Sequence, residues 1–254
     1  MKKKQQHKTY TRLFSGIFSS ILAVTMVAGY VQYIADSNRA EKFRHSFDML
    51  EQCLGQYPPE QIAVAFNGGK DCTVVLHQYS LVLKKIYPDR TGNARFNALF
   101  IHNKPQFDNV LEFIDQCVKF YELNLIEING DIKDALYRLK TSHPNIRCIV
   151  MGTRFSDPYS SSLKDFSPTD PTWPAYMRCN PILNYSYSDV WTFLREFKVP
   201  YCQMYDQGFT SIGDKDKTIR NVRLQYQNND TGLIEYKPAY LLDDEQSERD
   251  GRDS

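Results

Sequence analysis

Apolar and polar positions follow two periods along the chain. From Ser37 to Leu54 the apolar residues Phe43, Phe47, Leu50 and Leu54 fall on one helical stripe, which Gly55 and the Pro58-Pro59 pair end. Ile62 to Phe66 is a continuous apolar run, the mark of a buried strand. Thr73 to Ile86 returns to the helical period through Val74, Val75, Leu81, Val82 and Ile86, and stops before Pro88. Further strands are expected over Arg95–Ile101, Leu123–Ile128 and Ile146–Met151. Between them lie helices over Phe107–Tyr121, with Val110, Ile114, Cys117, Val118 and Tyr121 inward, and over Ile132–Ser142, with Ile132, Ala135, Leu136 and Leu139 inward.

Strand and helix alternate throughout this stretch. The pattern predicts an α/β fold: a mostly parallel, doubly wound sheet with helices on both faces. Ligands of such sheets bind at the carboxyl ends of the strands, so the loops after Phe66, Ile101 and Met151 are expected to converge on one site. From Gly152 the periodicity lapses into a proline- and aromatic-bearing loop that runs to Tyr187. A short helix over Tyr187–Phe197 follows, and Pro200 onward reads as loop again, giving a loop-rich C-terminal region.

Between the first strand and its helix stand Asn67-Gly68-Gly69-Lys70-Asp71-Cys72. Strand, glycine turn and helix make an anion site, because the first amides of a helix lack internal partners and the helix dipole favours negative charge there. Gly68 and Gly69 let the backbone approach a ligand, and Lys70 adds what reads as a mobile cation. Asp71 would repel bare phosphate, which points to a divalent cation travelling with the phosphates. The stretch is not a Walker A loop: Asp71 follows Gly69-Lys70, and no glycine stands where that pattern needs its first. An ordinary glycine-rich turn is the bland alternative.

Formal net charge is +1, and no basic stripe suggests a nucleic-acid partner. The six cysteines and five histidines are scattered, without zinc, iron–sulfur or disulfide spacing, which fits a reducing compartment. The basic N-terminus carries an uncharged, serine-diluted stretch from Phe14 to Ala35, long enough as a helix for the ~30 Å core of a bilayer. A membrane anchor, a mitochondrial presequence and a packed helix all fit it. The expected organisation is an N-terminal segment over 1–36 and a domain over 37–254, cytoplasmic with an anchor through 14–35, or else mitochondrial. The final stretch sets Arg249 and Arg252 among Asp243, Asp244, Glu245, Glu248, Asp250 and Asp253, acids that would hold a tail away from a phosphate site.

The glycine loop resembles the pyrophosphate loop of the adenine-nucleotide alpha-hydrolase superfamily, commonly Ser-Gly-Gly-x-Asp-Ser, with Asn67 and Cys72 as departures. Later motifs narrow the resemblance. Gly152-Thr153-Arg154-Phe155-Ser156-Asp157-Pro158-Tyr159, Phe166 to Pro174, Met177-Arg178, Asn180 to Leu183, Trp191, Tyr205 and Gly208 to Gly213 are together similar to the eukaryotic FAD synthases, the FMN adenylyltransferases related to PAPS reductases. The resemblance covers about Phe47 to Arg252.

It implies transfer of AMP from MgATP to FMN, giving FAD and pyrophosphate, with Mg2+ as cofactor and small molecules as partners; a monomer is expected, although no residue pattern speaks to it. Asn67, Lys70, Asp71, Asp157, Arg249 and Arg252 would be catalytic, with Asp71 and Asp157 offering oxygens to magnesium. Val64, Phe66, Gly68, Gly69, Ile101 and Thr153 would serve ATP. Asp170, Pro171, Thr172, Trp173 and Arg178 would serve FMN. Each has a plainer reading: Asp157 and Asp170 as turn residues, Trp173 as core, the arginines as solvated tail charges. Three other functions compete. A PAPS or adenylyl-sulfate reductase needs a C-terminal redox cysteine, and the last is Cys202. A tRNA-modifying relative needs zinc cysteines or a basic surface. A tethered flavin-binding protein without turnover would have no use for the set of charged residues above.

Overall fold

In a computed structural model of the protein, residues 38–88 and 96–252 are described. The Phe14–Ala35 stretch, Arg95 and Asp253 lie outside them. The chain divides into two compact units, residues 1–45 and 46–254. The sheet and the site belong to the second. No described helix is long and apolar enough to cross a membrane.

The elements follow the predicted alternation: α1 (Asn38–Gln56), β1 (Ile62–Ala65), α2 (Lys70–Ile86), β2 (Asn97–His102), α3 (Asp108–Phe120), β3 (Asn124–Asn129), α4 (Ile132–Ser142), β4 (Cys148–Val150), β5 (Phe166–Pro168), β6 (Met177–Cys179), α5 (Tyr187–Glu196), β7 (Gln225–Gln227) and β8 (Ile234–Tyr236). One six-stranded sheet runs β3-β2-β1-β4-β6-β5, and β7 and β8 form a separate hairpin. All neighbours in the main sheet are parallel except β5, which pairs antiparallel to β6 at the edge. The order reverses direction between β1 and β4, so the crevice of this sheet opens at their carboxyl ends.

Strand alternation explains the layers. Ala63, Leu99, Ile126, Ile128 and Ile149 share one face and bury it against Ala135, Leu136 and Leu139 of α4 and against Tyr176. The opposite face meets α1, where Cys53 Sγ lies 3.5 Å from Cys148 Sγ. It also meets α3, whose Phe113 ring sits 6.4 Å from that of Phe66. Ser46, Gln78 and Tyr185 close a buried hydrogen-bond triangle of 2.8 to 2.9 Å between α1, α2 and the segment before α5.

Two boundaries differ from expectation for a physical reason. The second helix begins at Lys70 rather than Thr73, because extended Gly69 is its N-cap. Lys70, Asp71 and Cys72 are therefore first-turn residues, and an acid there complements the helix dipole. The expected loop from Gly152 to Tyr187 contains β5 and β6, each only three residues long and thus too short to show a period.

Gly152, just past β4, fixes the distance between β4 and α2. A Cβ on Gly152 would lie 2.7 Å from Cys72 N and 2.9 Å from Cys72 Cα, both backbone atoms. Neither yields without moving the helix from the strand. Gly152→Ala is therefore expected to destabilise the protein by about 1–3 kcal/mol, read as a lowered thermal midpoint. An unchanged midpoint would mean that the strand end and the helix start have slack between them.

Candidate functional site

The glycine loop leaves β1 at its carboxyl end, with the Phe66 amide still bonded to Leu99 O at 2.9 Å. Gly68 has a φ of 76°, where glycine is favoured, and lies under Val110. Asn67 Oδ1 accepts from the Gly69 amide and from the Cys72 thiol, each at 3.1 Å. A backbone N–H can only donate, so this orients the amide and turns Nδ2 of the exposed Asn67 outward. The two departures from the common loop thus pair with each other. Burial pushes the Cys72 thiol up to about 12, so it stays protonated and keeps donating. The Lys70 amide donates to Tyr205 Oη at 2.9 Å. Two amides expected to face phosphate, those of Gly69 and Lys70, are therefore satisfied within the protein.

Lys70 is not a mobile cation. It is 2% exposed, its Nζ 3.1 Å from Asp71 Oδ2 and 2.5 Å from Glu248 Oε1, with the Tyr187 and Tyr205 rings at 5.3 and 5.8 Å. Arg154, also 2% exposed, completes the cluster. Its Nη2 donates to both Glu248 oxygens at 2.7 Å. Its Nε lies 2.8 Å from Asp71 Oδ1; the two are an ion pair by distance, without the alignment of a hydrogen bond. Burial alone would raise the Asp71 carboxyl, but the charges of Lys70 and Arg154 outweigh it and hold the group below the usual carboxylate range. The repulsion that Asp71 poses to phosphate thus already has an answer in two side-chain cations. Burial would lower Arg154, yet Asp71 and Glu248 raise it well above its ordinary value.

Arg154 also ties the two expected metal ligands together. Its amide donates to Asp157 Oδ2 at 2.9 Å, while its guanidinium holds Asp71. Asp157 Oδ1 accepts from Arg249 Nη1 at 3.1 Å, in a pair 43% and 26% exposed at the arginine and the aspartate. Arg252 donates through Nε to Ser211 Oγ at 3.0 Å, and its guanidinium lies over Gly213, where a side chain would collide with it. Burial, then the neighbouring Arg249, lowers the Arg252 pKa. Asp71, Asp157, Arg249 and Lys70 are thus brought into one connected cluster.

The tail is docked, and its acids are the reason. Thr210 Oγ1 donates to Glu248 O at 2.7 Å, and Asn221 Nδ2 to Ser247 O at 2.7 Å. Glu245 accepts from the Ser188 amide in the first turn of α5, and Asp250 pairs with Arg223. Glu248, expected to push the tail away, is buried and anchors it.

The remaining expected residues are placed as follows. Val64 is buried in β1 between Ala98 and Val150. Ile101 is half-buried in β2. Thr153 is half-buried directly after Gly152. Asp170, Pro171 and Thr172 are exposed on the β5–β6 turn, where the Trp173 amide donates to Asp170 O at 2.9 Å. Trp173 packs on the α4-side core, with Lys133 Nζ 5.9 Å over its ring. Arg178 Nη2 donates to Pro168 O at 2.8 Å. Among the described residues no hydrogen bond or ion pair joins this turn to the Lys70 cluster.

Among the described residues no group of three or more side-chain ligands encloses a metal. The donor set could instead serve a divalent ion shared with phosphate: Asp157 is partly open, and Asp71 Oδ1, which lies 2.8 Å from Arg154 Nε, accepts no directed hydrogen bond.

The phosphoadenosine phosphosulfate reductase domain family matches residues 61–220. A curated relative from Schizosaccharomyces pombe named "Probable FAD synthase" is 36% identical over 82% of this chain and 78% of its own length. The chain belongs to the FAD synthase branch of that reductase-domain family. A Caenorhabditis elegans "Probable FAD synthase" is 39% identical over 87% of this chain, which spans 41% of that protein. In fold, the chain is similar to a crystal structure of Candida glabrata FMN adenylyltransferase in complex with FMN and the ATP analogue AMPCPP. That likeness has TM-score 0.79 at 24% identity and covers 91% of this chain and 97% of the other.

For a member of this branch, sequence reasoning passed over Arg154, Glu248, Tyr205 and Gly152. Tyr205 and Gly152 stand inside motifs without a role, and Arg154 only as a reserve cation for the phosphates. Glu248 carried a signal that pointed the wrong way, one acid among many.

The orientation of Asn67 has a direct test. Asn67→Asp keeps an oxygen for the Gly69 amide and the Cys72 thiol but replaces the outward donor by a second carboxylate oxygen. Turnover is expected to fall by roughly two orders of magnitude with little change in thermal midpoint. Retained turnover would mean that Nδ2 faces no anion.

Proposed function

We propose that the chain is an FAD synthase, transferring the AMP moiety of MgATP to FMN and releasing pyrophosphate. The observation that carries the reading is the cluster at the β1/β4 crevice. A glycine loop with an outward Asn67 amide meets Asp71, Asp157 and Arg249, all linked through Arg154. The names of the relatives and the FMN and nucleotide bound by the C. glabrata protein support the same reading.

The attacking group is the FMN phosphate, ionised at neutral pH, so no general base is required. The reaction then rests on alignment of that phosphate with the α-phosphorus of ATP and on cations where charge develops. Asn67 Nδ2 and the Gly68 amide would hold the β- and γ-phosphates. Arg249 and Arg252 would reach the α-phosphate and the FMN phosphate, each able to grip two oxygens. Asp71 and Asp157 would hold Mg2+ with phosphate oxygens completing its shell; when bound, that ion neutralises the leaving pyrophosphate. Lys70 and Arg154 would not touch phosphate but set the position of Asp71. The adenine would lie against the strand ends at Val64, Phe66, Ile101 and Thr153. The flavin would lie toward Asp170, Pro171, Thr172, Trp173 and Arg178, where the exposed Asp170 carboxylate can accept from the isoalloxazine N–H.

Reductase chemistry fits less well, because all six cysteines, Cys202 included, are buried.

The deciding measurement is FAD formation from FMN and MgATP by the full chain, followed by flavin chromatography. Absence of FAD with folded protein and both substrates would sink the reading. Asp157→Ala is expected to lower turnover by about two orders of magnitude or more, while full activity at saturating MgATP would remove it from the mechanism. Asp170→Ala is expected to weaken FMN binding more than ATP binding in calorimetry; the reverse order would mean that the flavin side is misplaced.

A further inference from the structure

We infer that Glu248 is a positioning residue for the adenylyl transfer, latching the C-terminal tail to the glycine-loop helix so that Arg249 and Arg252 are delivered to the phosphates. The inference rests on the FAD synthase reading and adds a residue to it.

Glu248 is the tail side chain that enters the buried charge cluster. Its carboxylate takes Lys70 Nζ at 2.5 Å and Arg154 Nη2 at 2.7 Å from both oxygens. Its carbonyl accepts from Thr210 Oγ1 at 2.7 Å, so backbone and side chain of one residue are held from two sides. The next residue, Arg249, is on Asp157 at 3.1 Å. Three residues later, Arg252 pairs in a β-bridge with Thr218. The tail therefore has a fixed point immediately before its two arginines.

Charge explains why the fixed point must be an acid. Lys70, Arg154 and Asp71 together leave one uncompensated positive charge in a buried place, and Glu248 cancels it. A neutral side chain there would leave that charge buried and unpaired, which is costly. The other described acids of the tail lie elsewhere: Asp244 and Asp250 share the exposed Arg223, Glu245 accepts at the start of α5, and Asp243 is exposed. The carboxylate also holds Lys70 and Arg154 apart from incoming phosphate, leaving the more exposed arginines to meet it.

The same geometry separates this role from that of a group touching substrate. A latch acts through Arg249, so removing the latch and removing Arg249 disable one device. The test is Glu248→Gln in the full chain, alone and combined with Arg249→Ala, beside Arg249→Ala alone. Kinetics for FMN and MgATP are measured with hydrogen exchange of the 244–252 amides. The expected result is that Glu248→Gln lowers kcat by about tenfold or more while KM for FMN moves by less than about threefold. Adding Arg249→Ala to it should cost less than about threefold further, because the two changes are coupled. Exchange over 244–252 should quicken in Glu248→Gln. Wild-type kcat and KM in that variant, or fully additive losses in the double variant, would overturn the inference. If Glu248→Gln does not fold, Glu248→Asp takes its place; it keeps the charge, and its shorter reach is expected to give the same kinetic pattern, with wild-type behaviour overturning it. Should the wild-type chain make no FAD, the function itself fails. The latch is then judged by exchange alone, which unchanged protection in the variant would refute.

Discussion

Four charges packed together, three of them buried and Asp71 partly so, hold the site in place: Lys70 and Arg154 against Asp71 and Glu248. Removing any ion from water costs several kcal/mol, and mutual attraction offsets that only when geometry and stoichiometry are both good. Here the cluster is neutral, its contacts lie between 2.5 and 3.1 Å, and its cations are 2% exposed. Its four members come from three segments distant in sequence: the first turn of α2, the loop after β4, and the tail. No apolar contact could specify that junction so narrowly, because an apolar surface tolerates sliding and a set of paired charges does not.

That constraint explains features that look unrelated. Gly152 lacks a side chain because the Arg154 loop must pass close over the backbone of Asp71 and Cys72 to bring the guanidinium to Asp71. Tyr205 closes the cluster from the side, its hydroxyl oxygen accepting from the Lys70 amide while its ring faces Lys70 Nζ. Asn67 and Cys72 brace the loop from inside, which frees the outward amide for a ligand. The carboxylates that a phosphate site seems unable to tolerate are thus already matched by cations of the protein.

The sheet was legible in the sequence because its signals are local. Strands of apolar residues and helices of 3.6 period each declare themselves within a dozen residues, and the position of the glycine loop at a strand end follows from the order of elements. The short strands Phe166–Pro168 and Met177–Cys179 were not legible, since three residues carry no period. Lys70, Asp71, Asp157 and Arg249 were picked out by motif, and the structure brings them together. Their partners were harder to see. Arg154 acts through its amide on Asp157 and its side chain on Asp71, a double use that no spacing encodes. Asp170 to Trp173 remain on a separate turn, for which a motif gives residues but not the distance to the phosphates.

Glu248 shows why the tail in particular misleads. Counting charge along a segment predicts how it behaves in water, where acids repel a phosphate site as a group. Docking takes each acid out of that average. Asp250 and Asp244 meet Arg223, Glu245 meets the amino end of α5, and Glu248 meets the excess of buried positive charge that Lys70 and Arg154 leave over Asp71. Glu248 is thereby neutralised inside the cluster while the other acids are held at other places on the fold, and Arg249 stands on Asp157 although the segment's net charge says it should not. The sign of the tail's interaction with phosphate is therefore set by which of its charges are already spoken for, a property of the fold and not of the composition.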